Sequence, residues 1–195
     1  MTQKTTSEQA ALGTVEEVGG KRVLRFERRL DHPVEKVWAA LTEPEQLAGW
    51  LAAAEELDVA VGGRVRLRWL NTVENKRDWE RYGVILPDDF DPEADEIVTG
   101  TFTAVDPPRV LEMDTDSFGV LRWELQATES GCALVFTNAL PEGFADEMAP
   151  QTLAGWHSHL DMLADALEGR PMADWSKVSL DEWAQLRDRY AETLS

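Results

Sequence analysis

The segment from residue 28 to residue 50 constrains the fold more than any other part of this chain. It begins as the end of a strand and continues as two short helices. Pro33 suits the first position of the first helix, because a proline there gives up no helical hydrogen bond. The apolar residues that follow recur at the spacing of a core-facing helix stripe: Val34, Val37, Trp38 and Leu41. Pro44 predicts the start of the second helix, whose apolar side carries Leu47 and Trp50.

The middle of the chain reads as antiparallel strands joined by turns. Alternating apolar and polar residues predict one strand over 13–30, with a bulge or bend at Gly19-Gly20. A tight hairpin is predicted about Gly62-Gly63, with its arms at 58–61 and 64–70. The remaining predicted strands span 97–105, 110–115, 119–128 and 132–140.

Two helices are predicted after the last strand. From about Ala149 to Glu168, apolar residues recur at steps of three and four, the strongest helical period in the chain: Leu153, Trp156, Leu160, Leu163 and Leu167. Gly169 and Pro171 end this long helix, since glycine suits a helix C-terminus and proline cannot continue it. Ser179 begins a capping box, and the apolar stripe that follows predicts an extra C-terminal helix.

These elements predict one domain with additions. The domain spans 13–170, preceded by a disordered N-terminus over 1–12 and followed by a C-terminal extension with a helix over 171–195. Residues 71–96 form an acidic insertion, which reads as an exposed loop that could contain a short strand at 82–86. A loop of this length within a compact domain is either functional or mobile.

Charge and composition exclude several classes of partner. The net charge of −18 repels phosphate backbones and anionic lipids, so we expect neither nucleic-acid binding nor membrane docking. The single cysteine, Cys132, permits no intrachain disulfide and no cysteine-based zinc site. No stretch approaches the roughly 20 apolar residues of a membrane-spanning helix, and the polar N-terminus does not resemble a signal peptide. A cytoplasmic protein is therefore expected.

This order of elements resembles the START-like, or SRPBCC, superfamily, which shares the helix-grip fold of the birch-pollen allergen. The resemblance implies an α+β architecture in which a curved antiparallel sheet of about seven strands surrounds a long C-terminal helix. Two short helices follow the first strand, and here an extra C-terminal helix is added. More narrowly, the chain resembles homologues of the activator of the heat-shock-protein-90 ATPase. The segments that carry this resemblance are 32–45, 47–50, 62–64, Gly100 with 105–111, and 155–157 with Leu160, Leu163 and Leu167.

The resemblance also implies a cavity between the sheet and the long helix that can hold an apolar small molecule. Ligand pockets are mostly apolar and aromatic, and the chain has eight tryptophans. Trp38 reads as core, whereas several others lie on inward faces of elements that would enclose the cavity. The residues expected to line it are Leu47, Trp50, Trp69, Phe102, Trp123, Phe136, Trp156, His157 and Leu160.

Few residues suggest reaction chemistry. His157 and His159 project to nearly opposite sides of a helix, so they cannot bind one metal ion together. Each is either a polar group at a cavity mouth or a partly buried or surface histidine without a role in binding. The basic row at Arg64, Arg66 and Arg68 is either an anion site or, as we favour, an outer strand face paired with carboxylates. No catalytic, metal or cofactor motif is recognised.

Three functions are open at this point. The first is a non-enzymatic protein that binds a small hydrophobic or aromatic molecule in the cavity. The second is a co-chaperone-like interaction module that contacts a chaperone through its acidic surface and the helix after Ser179. The third is a cavity enzyme such as a cyclase, which requires at least one titratable group to point inward, with His157 and His159 as the first candidates. We expect the first, with no cofactor, and leave the ligand and the oligomeric state open.

Overall fold

An antiparallel sheet of eight strands forms the body of the protein in the computed structural model, which describes residues 11–86 and 90–194. The first half of the chain contains β1 (Thr14–Val18), β2 (Lys21–Leu30), α1 (Val34–Thr42), α2 (Pro44–Leu47), β3 (Ala52–Leu57), β4 (Arg64–Trp69) and α3 (Val73–Asp78). The second half contains β5 (Ile97–Asp106), β6 (Val110–Thr115), β7 (Gly119–Thr128), β8 (Gly131–Ala139), α4 (Ala149–Leu167) and α5 (Leu180–Leu194). The strands lie in the order β1-β2-β8-β7-β6-β5-β4-β3.

The predicted α+β helix-grip architecture is confirmed, with α1 and α2 after the first long strand and α4 packed against the sheet. The sheet has eight strands rather than about seven, because Gly19 and Gly20 divide the first predicted strand. Both glycines have positive φ, 60° and 78°, which is the backbone of a tight hairpin turn rather than of a bulge. Val18 therefore lies opposite Lys21, and β1 folds back along β2.

A second glycine pair shapes the β3–β4 hairpin, but the first arm lies earlier than predicted. β3 is Ala52–Leu57, and residues 58–63 form the connection, so the strand predicted over 58–61 is not formed. Gly63 has no room for a side chain there, since a Cβ atom would lie 2.0 Å from the Asp58 carbonyl oxygen. β3 begins with three alanines, whose weak strand preference hides it in the sequence.

The hydrophobic core lies between the sheet and α4. All five residues of the predicted apolar stripe are buried in α4, together with Ala149, Ala154 and His157, and Leu153 and Leu163 have no exposed surface. Burying each such leucine contributes about 2 kcal/mol. Helix α1 adds Val37 to the same core, and the Trp50 indole N–H donates to the Ala40 carbonyl oxygen at 2.9 Å. The first helix is thereby held against the start of β3.

Residues 71–96 contain more regular structure than the predicted exposed loop. They begin with α3, which is followed by a 3-10 turn at Glu80–Tyr82. The short strand considered for 82–86 is not formed, because Gly83 ends the turn with φ of 74° and the chain continues without regular pairing. The acidic insertion thus presents a helical surface to the rest of the domain.

The C-terminal extension folds back onto the domain. Helix α5 lies against α4 and buries Tyr190, while Trp183 and Leu186 pack on the core. Its predicted cap is present, since the Ser179 hydroxyl accepts a hydrogen bond from the Glu182 backbone N–H at 3.2 Å. The apolar stripe of α5 is therefore used within the chain up to Tyr190, whereas Leu194 at its end is exposed.

Some predictions fall outside the described residues. They concern most of the N-terminus predicted to be disordered, namely residues 1–10, residues 87–89 of the acidic insertion, and residue 195. Within the described ranges, no helix is both long and apolar enough to cross a membrane.

Candidate functional site

A pocket of about 400 Å³ lies beside α4, at the end of the sheet where β4 ends and β7 begins. This volume falls in the range of pockets that hold drug-sized ligands. The sheet end contributes Trp69, Glu96, Ser117, Phe118 and Leu140 to its wall. The acidic insertion contributes Asn71, Trp79 and Val84. The C-terminal extension contributes Trp175, Val178, Leu180 and Trp183.

The opposite wall is formed by one face of α4 and by Met148, the residue that precedes this helix. Its members recur at helical spacing: Met148, Gln151, Thr152, Gly155, Ser158, His159 and Met162. This face lies beside the leucine stripe that packs on the sheet. Gly155 is at its centre, and a Cβ atom placed there would meet no atom within 4 Å. The glycine leaves open space that a larger residue would occupy.

Two of the nine residues predicted to line a cavity, Trp69 and Trp156, line this pocket. Within the described part of the chain, the other seven are core residues that do not line it: Leu47, Trp50, Phe102, Trp123, Phe136, His157 and Leu160. All seven are buried within the protein, and the open space lies at the side of α4. Ligand contact by any of the nine stays a prediction.

Sequence reasoning missed the outer wall of the pocket. This wall includes Trp79 in the insertion and Trp175 and Trp183 in the extension. The signal available in the sequence was the presence of large aromatic residues in segments that otherwise read as polar and exposed. Glu96 was missed because one carboxylate among 37 acidic residues cannot be distinguished by composition.

The insertion and the extension contact each other at the pocket. The Asn75 side-chain amide donates to the Trp175 carbonyl oxygen at 3.1 Å. The Arg187 guanidinium of α5 donates to the Tyr82 carbonyl oxygen. Each segment is thus held in place partly by the other, and together they complete the wall that faces α4.

The aromatic side chains at the sheet end hold one another in place. The Trp69 and His159 rings stack with centroids 5.2 Å apart, and Phe118 meets Trp69 edge-on at 5.6 Å. The Trp156 indole N–H donates to the buried Asn138 side-chain oxygen at 3.0 Å. Because ring contacts and hydrogen bonds fix these side chains together, this part of the pocket wall is pre-organised.

His159 is a neutral hydrogen-bond acceptor in the pocket wall. Its Nδ1 atom lies 2.8 Å from the Trp50 carbonyl oxygen, and a carbonyl oxygen can only accept. Nδ1 therefore carries the proton, and Nε2 of the neutral ring carries a lone pair. Burial lowers the pKa of His159, an effect larger than the opposing effect of the Trp50 hydrogen bond. The ring is accordingly uncharged at neutral pH.

Glu96 lies directly across the sheet from Trp69. The Trp69 backbone N–H donates to the Glu96 carbonyl oxygen at 2.9 Å, so the two side chains extend from the same face of the sheet. The Asn71 amide donates to the Glu96 carboxylate at 3.0 Å. Burial raises the pKa of Glu96, while the Asn71 hydrogen bond and the nearby Lys76 charge act in the opposite direction. Lys76 itself donates to the Ala94 carbonyl oxygen at 2.5 Å.

The other polar groups in the wall have partners within the protein. Gln151 exchanges two hydrogen bonds with the Ile85 backbone, at 2.8 and 3.1 Å. The Thr152 and Ser158 hydroxyls donate back to helix carbonyl oxygens at 3.0 and 2.9 Å. Among the described lining residues there is no lysine or arginine. The wall therefore offers one carboxylate and one imidazole nitrogen but no cationic side chain.

His157 faces away from the pocket and connects α4 to α5. Its Nδ1 atom lies 2.7 Å from the Tyr190 hydroxyl, which also accepts a hydrogen bond from the Gly13 N–H at 2.9 Å. Asp161 lies 3.6 Å from Nε2, so we assign the ring proton to Nε2 and let Tyr190 donate to Nδ1. Burial, assisted by the charge of Arg28, lowers the pKa of His157 to about 4.

The basic row on β4 lies on the outer face of the sheet, as favoured from the sequence. Arg64 pairs with Glu56 at 2.8 Å, and Arg66 and Arg68 pair with Glu55 at 2.9 and 3.2 Å. These exposed pairs each contribute little to stability. Across the described residues, no group of three or more histidine, cysteine, aspartate or glutamate side chains could hold a metal ion.

Residues 31–168 match the family model described as activator of Hsp90 ATPase homolog 1-like protein. The chain belongs to this family. The matched region ends just after α4, so the C-terminal extension that completes the pocket lies beyond it. No functionally curated protein matches the chain in sequence.

Solved structures with this fold include proteins from several bacteria. A protein from Bordetella parapertussis is 26% identical, with a TM-score of 0.61 over 96% of this chain and 94% of its own. The CalU16 protein from Micromonospora echinospora is 19% identical, with a TM-score of 0.61 over 93% of this chain and 94% of its own. An AHSA1-like protein from Aeromonas hydrophila is 22% identical, with a TM-score of 0.57 over 75% of this chain and 92% of its own.

Proposed function

We propose that this protein binds a small hydrophobic or aromatic molecule in the pocket beside α4, as a START-like binding protein. The observation that carries the proposal is the open position at Gly155, where the centre of a helix face has no side chain although aromatic rings surround it. A glycine in a helix interior destabilises a protein by about 1 kcal/mol relative to alanine. A glycine at this position is explained if a bound molecule occupies the space that a side chain would fill.

The pocket wall is suited to an apolar or flat ligand. Seven aromatic side chains other than histidine line it: Trp69, Trp79, Phe118, Phe144, Trp156, Trp175 and Trp183. Phe118 and Trp156 meet at a steep angle with centroids 5.7 Å apart, so the wall presents both ring faces and ring edges. A planar ligand can stack on such faces and bury most of its surface.

Native mass spectrometry of the purified protein, with organic extraction, tests the proposal. We expect a small apolar molecule to accompany the wild-type protein or to bind when added. Gly155→Phe should abolish this binding by filling the pocket, whereas Gly155→Ala adds one methyl group and should retain it. Both variants are expected to fold, because the position is helical and has free space at Cβ. Unchanged binding by folded Gly155→Phe would place the site elsewhere.

The family match supports a second candidate, a co-chaperone-like interaction module. The contact expected from the sequence was the acidic surface together with the helix after Ser179. Helix α5 packs Tyr190 and Trp183 against its own domain, so its outer, polar face is the part available to a partner. The ATPase rate of the heat-shock-protein-90 chaperone at saturating protein is the assay, and an unchanged rate counts against this candidate.

An enzymatic role needs a titratable group in the pocket wall, and His159 and Glu96 meet that requirement. His159 has the fixed tautomer of a general base, with its Nε2 lone pair unused within the described residues. His157 does not meet the requirement, since it is buried between α4 and α5. If the protein catalyses a reaction and the His159→Phe variant keeps that activity, His159 is not the general base.

A further inference from the structure

The polar groups of the pocket are arranged around Trp69. Its ring stacks on His159, its backbone pairs with that of Glu96 on the neighbouring strand, and all three side chains line the same pocket. In the described residues, the Glu96 carboxylate has no ion-pair partner within 4 Å, and Nε2 of His159 has no hydrogen-bond partner. The Glu96 carboxylate and the Nε2 atom of His159 can both accept hydrogen bonds, and the ionised carboxylate carries a negative charge.

The aromatic wall adds a second attraction for positive charge. The faces of indole rings attract cations, and cages of aromatic residues bind alkylated ammonium groups. Trp79, Trp175 and Trp183 are partly exposed and line the same pocket as Glu96. Desolvation inside an aromatic pocket strengthens the attraction between a ligand cation and the carboxylate.

Two features oppose an anionic ligand. No described lining residue is a lysine or an arginine, so a carboxylate or phosphate would meet no cationic partner. The Lys76 ammonium lies near Glu96, but it donates to the Ala94 carbonyl oxygen and does not line the pocket. The net charge of −18 also repels anions as they approach.

We propose that the pocket selects organic cations, namely amines or protonated nitrogen heterocycles on a flat apolar body, with the N–H group directed to Glu96 and His159. This rests on the proposed binding function and names its ligand class. A fatty acid or another apolar carboxylate of the same size is the class that the pocket rejects. The charge preference arises from the wall itself, because Glu96 is the ionisable acid among the described lining residues.

Two probes of equal size test the charge preference. The cation is 9-aminoacridine, the anion is anthracene-9-carboxylate, and both have three fused rings. Their affinities are measured by isothermal titration calorimetry at about pH 7.5, where both are charged. Salt at about 0.15 M limits attraction to the acidic surface outside the pocket. We expect the wild-type protein to bind the cation at least about tenfold more tightly than the anion.

Matched variants assign this preference to the pocket. Glu96→Gln removes the charge with little change in shape, and it should reduce the cation-to-anion affinity ratio by about tenfold. Glu129→Gln removes the same charge from the exposed β7–β8 turn, at the other end of those strands, and should leave the ratio unchanged. The inference is overturned if the wild-type protein binds the anion as tightly as the cation, or if both variants change the ratio equally.

Gly155→Phe separates this inference from the proposed function. If it abolishes binding of both probes while the wild-type protein does not discriminate between them, the pocket binds ligands but does not select by charge. If the cation binds equally well to folded Gly155→Phe, its site lies elsewhere and both proposals are overturned. Absence of binding of either probe at about 1 mM likewise counts against both.

Discussion

Replacing Tyr190 with phenylalanine removes one oxygen atom and tests how α5 is held on the domain. That oxygen accepts the Gly13 N–H at 2.9 Å and lies 2.7 Å from Nδ1 of His157. Tyr190 is only 1% exposed, so water cannot readily replace the lost hydroxyl. The substitution keeps the aromatic ring and its packing, and its effect therefore reports the hydrogen bonds.

The expected destabilisation follows from the bonds that are lost. Two hydrogen bonds contribute about 1 kcal/mol each, and leaving the half-buried Gly13 N–H and the buried His157 ring nitrogen without partners adds to the loss. We expect the free energy of unfolding to fall by about 2–3 kcal/mol. For a domain of this size, the corresponding decrease in melting temperature is about 4–12 °C.

Urea unfolding followed by circular dichroism measures this change, and limited proteolysis reports whether α5 loosens before the core. The control is Tyr82→Phe, since Tyr82 is the other tyrosine of the chain and lies in the partly exposed turn after α3. Its hydroxyl faces solvent and Asp181, so we expect a change within about 0.5 kcal/mol. A Tyr190→Phe protein no less stable than Tyr82→Phe would refute the reasoning.

Three further predictions concern stability. Gly155→Ala should raise the free energy of unfolding by about 1 kcal/mol in denaturant titrations, because the position is helical with free space at Cβ; a lower stability would contradict the open geometry. The native pKa of His157 is about 4, below its unfolded value, so the unfolded state takes up the proton first as pH falls. Between about pH 6.5 and 4, wild-type stability should therefore fall by about 3 kcal/mol relative to His157→Gln, and parallel pH profiles would exclude this effect. Thr72→Ala removes the hydroxyl that caps α3 and should lower the free energy of unfolding by about 1 kcal/mol, measured by thermal unfolding; no change would mean that the cap is dispensable.

The helices were the most predictable part of the structure. The apolar period of α4 and the Ser179 cap of α5 are local signals, and both elements formed where the sequence placed them. The strands were less predictable at their ends, because Gly19-Gly20 could be read as a bulge or as a turn. Only the pairing of β1 with β2 decides between these two conformations.

The site was predictable only in part. Trp69 and Trp156 were expected from their inward-facing positions, and both line the pocket. Trp123 and Phe136 carry the same signal, but their rings pack on each other with centroids 5.1 Å apart. A periodic pattern indicates that a side chain is buried, but it does not indicate whether protein atoms or open space lie against it.

The sequence by itself determined the fold class, because strand alternation, helix period and capping act over a few neighbouring residues. The tertiary structure alone decided where the pocket lies. Its outer wall forms where Asn75 of the insertion meets Trp175 of the extension, two residues that are 100 positions apart. Contacts over such separations depend on how the whole chain packs, so no local pattern encodes them. The same packing pairs Glu96 with Trp69, whose ring stacks on His159, and so places one carboxylic acid in the pocket wall.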